Sequence, residues 1–133
     1  MKNPIKFRNA ALCEYVAKGA GNKYTLVNVY SGDVIISSMP SDLMFGIYIE
    51  LIVDFSIKTD IFMEILVEKT PIAKLPVDVS KVGNGKLINI VVQSMPMHVE
   101  KDVTLEVIAH APGRQTTTIL SKRLYRGDIP QHS

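Results

Sequence analysis

From position 43 to 57 every odd residue is apolar (Leu43, Phe45, Ile47, Ile49, Leu51, Val53, Phe55, Ile57), while the even ones include Gly46, Tyr48, Glu50, Asp54 and Ser56. A period of two marks a strand with one buried face. After Thr59-Asp60 the odd positions Ile61, Met63, Ile65 and Val67 are apolar again, with Glu64 and Glu68 between them. The pattern reads as a hairpin. Because a one-residue slip would turn one apolar set toward water, odd positions must oppose odd positions. A three-residue loop, Lys58-Thr59-Asp60, satisfies this with Ile57 opposite Ile61.

That register sets Asp54 against Glu64 and Glu50 against Glu68, with Ile52 and Leu66 between the two acidic pairs. Like charges directly opposite destabilise a sheet by roughly 0.2–1 kcal/mol per pair, so the face is expected to meet a basic strand or a partner. A hard cation would also offset the repulsion, but a solvated face countered by Lys or Arg is the preferred explanation. The candidate binding residues are therefore Glu50, Ile52, Asp54, Glu64, Leu66 and Glu68, with no metal and no cofactor expected.

The rest of the chain repeats the short-strand pattern. Positions 9–17 and 23–30 read as strands around the turn Gly19-Ala20-Gly21-Asn22, and Val34-Ile35-Ile36 as a short strand before a crossover containing Pro40. Pro71 and Pro76 bracket a segment that belongs at a sheet edge or is interrupted by a bulge, because proline donates no ladder hydrogen bond. A loop over 81–86 with an Asn84-Gly85 turn precedes a strand at 87–92. Positions 94–102, broken by Pro96, read as a connection. Val103, Leu105, Val107 and Ala109 face inward on the next strand, a final strand covers 116–125, and 127–133 reads as a tail. Eight to nine short strands with regular turn signals predict an all-β fold, a single-domain antiparallel β-sandwich whose ordered core spans 9–126.

Composition adds limits rather than identity. At 133 residues, 47% hydrophobic and 21% charged, the chain can bury a core without staples. A net charge of +2 gives no reason to expect nucleic acid. Cys13 is the sole cysteine, so no internal disulfide forms. The first nine residues lack a secretory pattern, and the longest apolar stretch alternates and carries Glu50 and Asp54, so a cytoplasmic protein without a membrane partner is expected.

Leu12-Cys13-Glu14-Tyr15-Val16, followed by Lys23-Tyr24-Thr25-Leu26-Val27-Asn28-Val29-Tyr30, resembles the opening of a family of small uncharacterised bacterial proteins. In that family a similar Leu-Cys-acidic-Tyr start precedes a β-rich remainder, and a Gly often stands where this chain has Asn28. The resemblance implies an all-β bacterial protein and carries no functional residues with it.

Catalytic signatures do not assemble. His98, His110 and His132 lack metal-ligand spacing, Cys13 lies in an apolar strand where a thiol behaves as a small hydrophobe, and Gly83-Asn84-Gly85-Lys86 reads as a turn. Arg126-Gly127-Asp128 is a tail turn, and Lys122 and Arg123 point to opposite faces of a strand, with no basic stripe. The expected function is a non-catalytic binding or assembly module that self-associates or takes a protein partner, with Ile52, Phe62 and Leu66 as exposed apolar anchors. The alternative is a small ligand- or carbohydrate-binding protein, or an enzyme, with a cleft at one end of the sandwich.

Overall fold

The chain folds into β1 (Ile5–Lys18), β2 (Tyr24–Val29), β3 (Val34–Ile36), β4 (Ser41–Val53), β5 (Phe62–Val67), β6 (Thr70–Pro76), β7 (Leu87–Val99), β8 (Val103–His110) and β9 (Thr117–Arg126). The structure is a computed structural model and describes residues 5–21, 23–53, 61–77, 87–111, 113 and 116–128. Among these residues there is no helix, and the strands form two sheets, ordered β2-β1-β4-β7 and β3-β9-β8-β5-β6. Every pairing is antiparallel except β3 with β9, which is parallel. The all-β sandwich expected from the spacing of strands is the fold observed.

Both sheets turn their apolar faces to one core. Leu12, Phe45, Ile47, Ile49 and Leu51 enter it from the four-stranded sheet, and Met63, Ile65, Leu105, Val107 and Leu124 from the other. Phe45, Ile47, Ile49 and Leu51 are fully buried. Slipping β4 by one residue would expose all four, at roughly 1.5–3 kcal/mol each. That loss is comparable to the whole stability of a typical domain, about 5–15 kcal/mol.

The expected central hairpin does not form. β4 pairs with β1 and β7, whereas β5 pairs with β6 and β8 in the opposite sheet. Their matching odd-position patterns reflect one core approached from two sides. The expected loop 58–60 and Asp54 lie outside the described residues, as does the expected Asn84-Gly85 turn. β5 instead pairs with β6 through a two-residue turn, Glu68-Lys69, with both residues at positive φ (49° and 65°).

Other boundaries shift for local reasons. β1 begins at Ile5, ahead of the expected start, because its first residues pair with β4 as far as Val53. β7 runs through Pro96 to Val99 where a connection was expected. An edge strand tolerates proline, since the missing N–H can face away from the neighbour, and a shift of register between Phe45 and Ile47 accommodates the step. β6 holds Pro71 and Pro76 and is an edge strand, as expected. Pro40, after a cis Met39-Pro40 bond, lies in the crossover from β3 to β4.

Candidate functional site

The outward side chains of the four-stranded sheet fall into transverse rows fixed by register. Lys6, Ile52 and Leu87 form one row, Asn9, Glu50 and Asn89 the next, then Ala11, Tyr48 and Val91, and finally Cys13 with Gly46. Beyond Cys13, β1 parts from β4 and continues with β2 as a two-stranded arm. The arm lies close over the sheet at Gly46. A Cβ built there would meet Val16 N at 3.0 Å, Gln93 O at 3.0 Å and Cys13 Sγ at 3.1 Å. Only glycine leaves that space open.

The arm brings Tyr24 onto Tyr48, ring centroids 5.4 Å apart and planes tilted by 54°. Tyr48 Oη donates to Glu50 Oε2 at 2.6 Å, and Asn9 Nδ2 donates to Glu50 Oε1 at 2.5 Å. Glu50 is therefore held on both oxygens. The donated hydrogen bonds, Tyr48 first, keep its carboxyl below the ordinary range. Burial and the bond to Glu50 push the Tyr48 hydroxyl up to about 12, so it stays a neutral donor. In the same row Asn89 Oδ1 is shielded from solvent and has no hydrogen-bond partner. A buried acceptor left unpaired costs about 1–3 kcal/mol.

Between the arm and β7 lies a cleft of about 490 Å³ lined by Lys18, Tyr24, Val91, Gln93 and Ser94. Four of these five side chains carry a polar group, one is cationic and none is anionic. The cleft is wide open to solvent, so it would cover one side of a ligand rather than enclose it. The lining includes an aromatic ring together with two hydroxyls, an amide and an ammonium group, and these last four are hydrogen-bonding groups suited to a hydroxyl-bearing ligand.

The expected acidic face does not assemble. Glu50 and Ile52 share the outer face of the four-stranded sheet, while Glu64 and Leu66 lie on β5 in the other sheet and Glu68 in the turn after it. Their like-charge opposition is absent: Glu50 stands between Asn9 and Asn89, and Glu64 between Lys74 and Ile108. Ile52 and Phe62 are only half-buried and Leu66 is buried, so they form no exposed apolar set. Phe62 is sandwiched by Lys74 Nζ, 4.1 Å from its centroid, and by the His110 ring, stacked at 4.6 Å. His110 Nε2 lies 2.6 Å from Glu64 Oε1, out of line for a good hydrogen bond.

Among the described residues, Cys13, His98 and Lys122 are each engaged elsewhere. Cys13 Sγ donates to the carbonyls of Tyr15 and Gly46, and burial raises its pKa, so it remains a thiol. His98 has Asp42 at 2.6 Å on Nδ1 and Glu100 at 3.4 Å on Nε2, so neither ring nitrogen is free to serve a nucleophile. Lys122 turns inward and donates to Tyr30 O at 3.1 Å, while Arg123 lies over Tyr125 on the other side, as the strand pattern anticipates.

Of the residues singled out from sequence, Glu50 alone belongs to the tyrosine network. Tyr24, Tyr48, Asn9, Asn89, Lys18 and Gln93 were missed. The available signal was Gly46, a lone glycine on the outer face of an alternating strand, which marks close approach of another backbone. No protein-family model matches the chain, and no curated protein matches it either. Among the described residues, no helix is long and apolar enough to cross a membrane.

Proposed function

We propose that the protein is a non-catalytic recognition module that binds a hydroxyl-rich small ligand of the saccharide class in the cleft beneath the β1–β2 arm. The observation that carries this reading is the Tyr24 ring, fixed on Tyr48 and through it on Glu50 and Asn9. A preorganised aromatic face at the wall of a polar cleft lowers the ordering cost of binding. Sugar rings present an apolar C–H face to an aromatic side chain and hydroxyls to surrounding donors and acceptors, which is the division the lining offers. A cytoplasmic setting is part of this proposal, and the lone buried thiol is compatible with it.

Ligand-observed NMR against a panel of neutral and acidic mono- and disaccharides tests the reading. Saturation transfer to at least one member is expected, and Tyr24→Ala is expected to abolish it while the protein stays folded, its stability lowered by about 1 kcal/mol through the lost contact with Tyr48. Transfer that survives Tyr24→Ala, or silence across the panel at millimolar concentration, would overturn it.

Self-association is a second reading, moved from the acidic face to a different surface. Tyr15, Val27 and Val29 are exposed, and register places Tyr15 beside Val27 on the arm, whose outer strand β2 is a sheet edge. A second copy adding to that edge would cover them. The left-handed step at Asn28 (φ 54°) limits how far such pairing could run. Sedimentation of the wild type against Val27→Lys distinguishes a dimer through this edge from a monomer.

A further inference from the structure

Building on the cleft reading above, we infer that the preferred ligand is an acidic saccharide, one whose sugar ring carries a carboxylate. The cleft lining has one formal charge, the ammonium of Lys18, and no carboxylate. Glu50, in the row next to Tyr48, has both oxygens committed to Tyr48 and Asn9. A ligand carboxylate therefore meets a cation in a lining that holds no carboxylate.

The placement of the other groups divides the work. Tyr24 supplies the surface on which a ring lies. Gln93 and Ser94 stand on β7 and Lys18 at the end of β1, so the hydroxyl-binding groups and the ammonium are on separate walls of the cleft. A pyranose lying on Tyr24 can thus turn hydroxyls to β7 and a carboxylate to Lys18 at once. A neutral sugar makes the first contacts and forgoes the last. Hydrogen bonds to a charged partner are roughly twice as strong as neutral ones, and Lys18 is exposed, which keeps the expected gain modest.

Isothermal titration with a glucuronate-containing disaccharide and its glucose counterpart tests the inference. At low salt the acidic sugar is expected to bind about five- to tenfold more tightly, and the margin should shrink at high salt as the charge is screened. Lys18→Gln should bring the ratio of the two affinities to about one, whatever it does to the neutral sugar's own affinity. Equal binding of the two sugars by the wild type, or a margin that survives Lys18→Gln, would overturn the charge assignment and leave the cleft reading standing. Absence of binding by both sugars, together with silence across the saccharide panel, would overturn the two together.

Discussion

Replacing Gly46 with alanine puts a methyl group where two backbone atoms and a sulfur already crowd. The new carbon would lie 3.0 Å from Val16 N, 3.0 Å from Gln93 O and 3.1 Å from Cys13 Sγ. Ordinary contacts of this kind are several tenths of an ångström longer. Val16 is held by its pairing with Leu26, so it cannot yield without moving the arm. Gln93 lies at the irregular step of β7 and can yield somewhat. Overpacking of this kind costs typically about 1–3 kcal/mol, and one rigid neighbour beside two that can give places Gly46→Ala near the middle of that range. Loss of glycine's freedom in the unfolded chain returns about 0.4–1 kcal/mol. The net expectation is destabilisation by roughly 1–2 kcal/mol, or a fall in Tm of roughly 3–10 °C for a chain of this size. Urea unfolding followed by circular dichroism measures it. A second background, Cys13→Ala, removes the sulfur contact and leaves both backbone contacts, so it should relieve the loss only in part. A Gly46→Ala protein as stable as wild type, or complete rescue by Cys13→Ala, would show that the arm does not rest on the sheet at Gly46.

Further outcomes follow from single contacts. Glu50, its pKa lowered by Tyr48 and Asn9, contributes stability that is present above its ordinary value of 4.5 and is lost as pH falls through the lowered one. Glu50→Gln should therefore flatten the acid limb of stability against pH, measured by urea unfolding across that range. His98 has the opposite sign: its carboxylate neighbours raise its pKa above 6.5, so its contribution is full below the ordinary value and fades as pH rises through the raised one. The proton NMR titration of His98 should show the raised midpoint, and Asp42→Asn should lower it. The β5–β6 turn places Glu68 and Lys69 at positive φ, where Asn and Gly are at ease. The pair Glu68→Asn and Lys69→Gly should stabilise the fold by about 1 kcal/mol, less the exposed Lys69–Glu106 ion pair at 2.8 Å, worth about 0–1 kcal/mol. A drop in stability would refute the strain argument.

How much of this was legible in the chain depends on what periodicity encodes. Alternation at 43–53 states which side chains are buried, and Phe45, Ile47, Ile49 and Leu51 are buried. It is silent on which sheet a strand joins. β4 and β5 carry the same pattern because they line one core from opposite sheets, so adjacency in sequence was mistaken for pairing and Glu50 was drawn together with Glu64 and Glu68, which belong to the other sheet and its turn. Proline chemistry read the edge correctly at β6 and misled at Pro96, where the strand is also an edge and simply continues. The tyrosine network was hidden for a different reason. Tyr24 and Tyr48 are 24 positions apart and meet only because β1 leaves β4 and carries β2 over the sheet, a tertiary event with one local trace, Gly46.

The central claim is that recognition occurs in the cleft beneath the arm. Backbone amide chemical-shift mapping during titration with the glucuronate disaccharide tests it most directly. Saturable shifts confined to Lys18, Tyr24, Val91, Gln93, Ser94 and their neighbours are the predicted result. Shifts centred on the Phe62–His110 face of the other sheet, or on the exposed β2 edge, would contradict it.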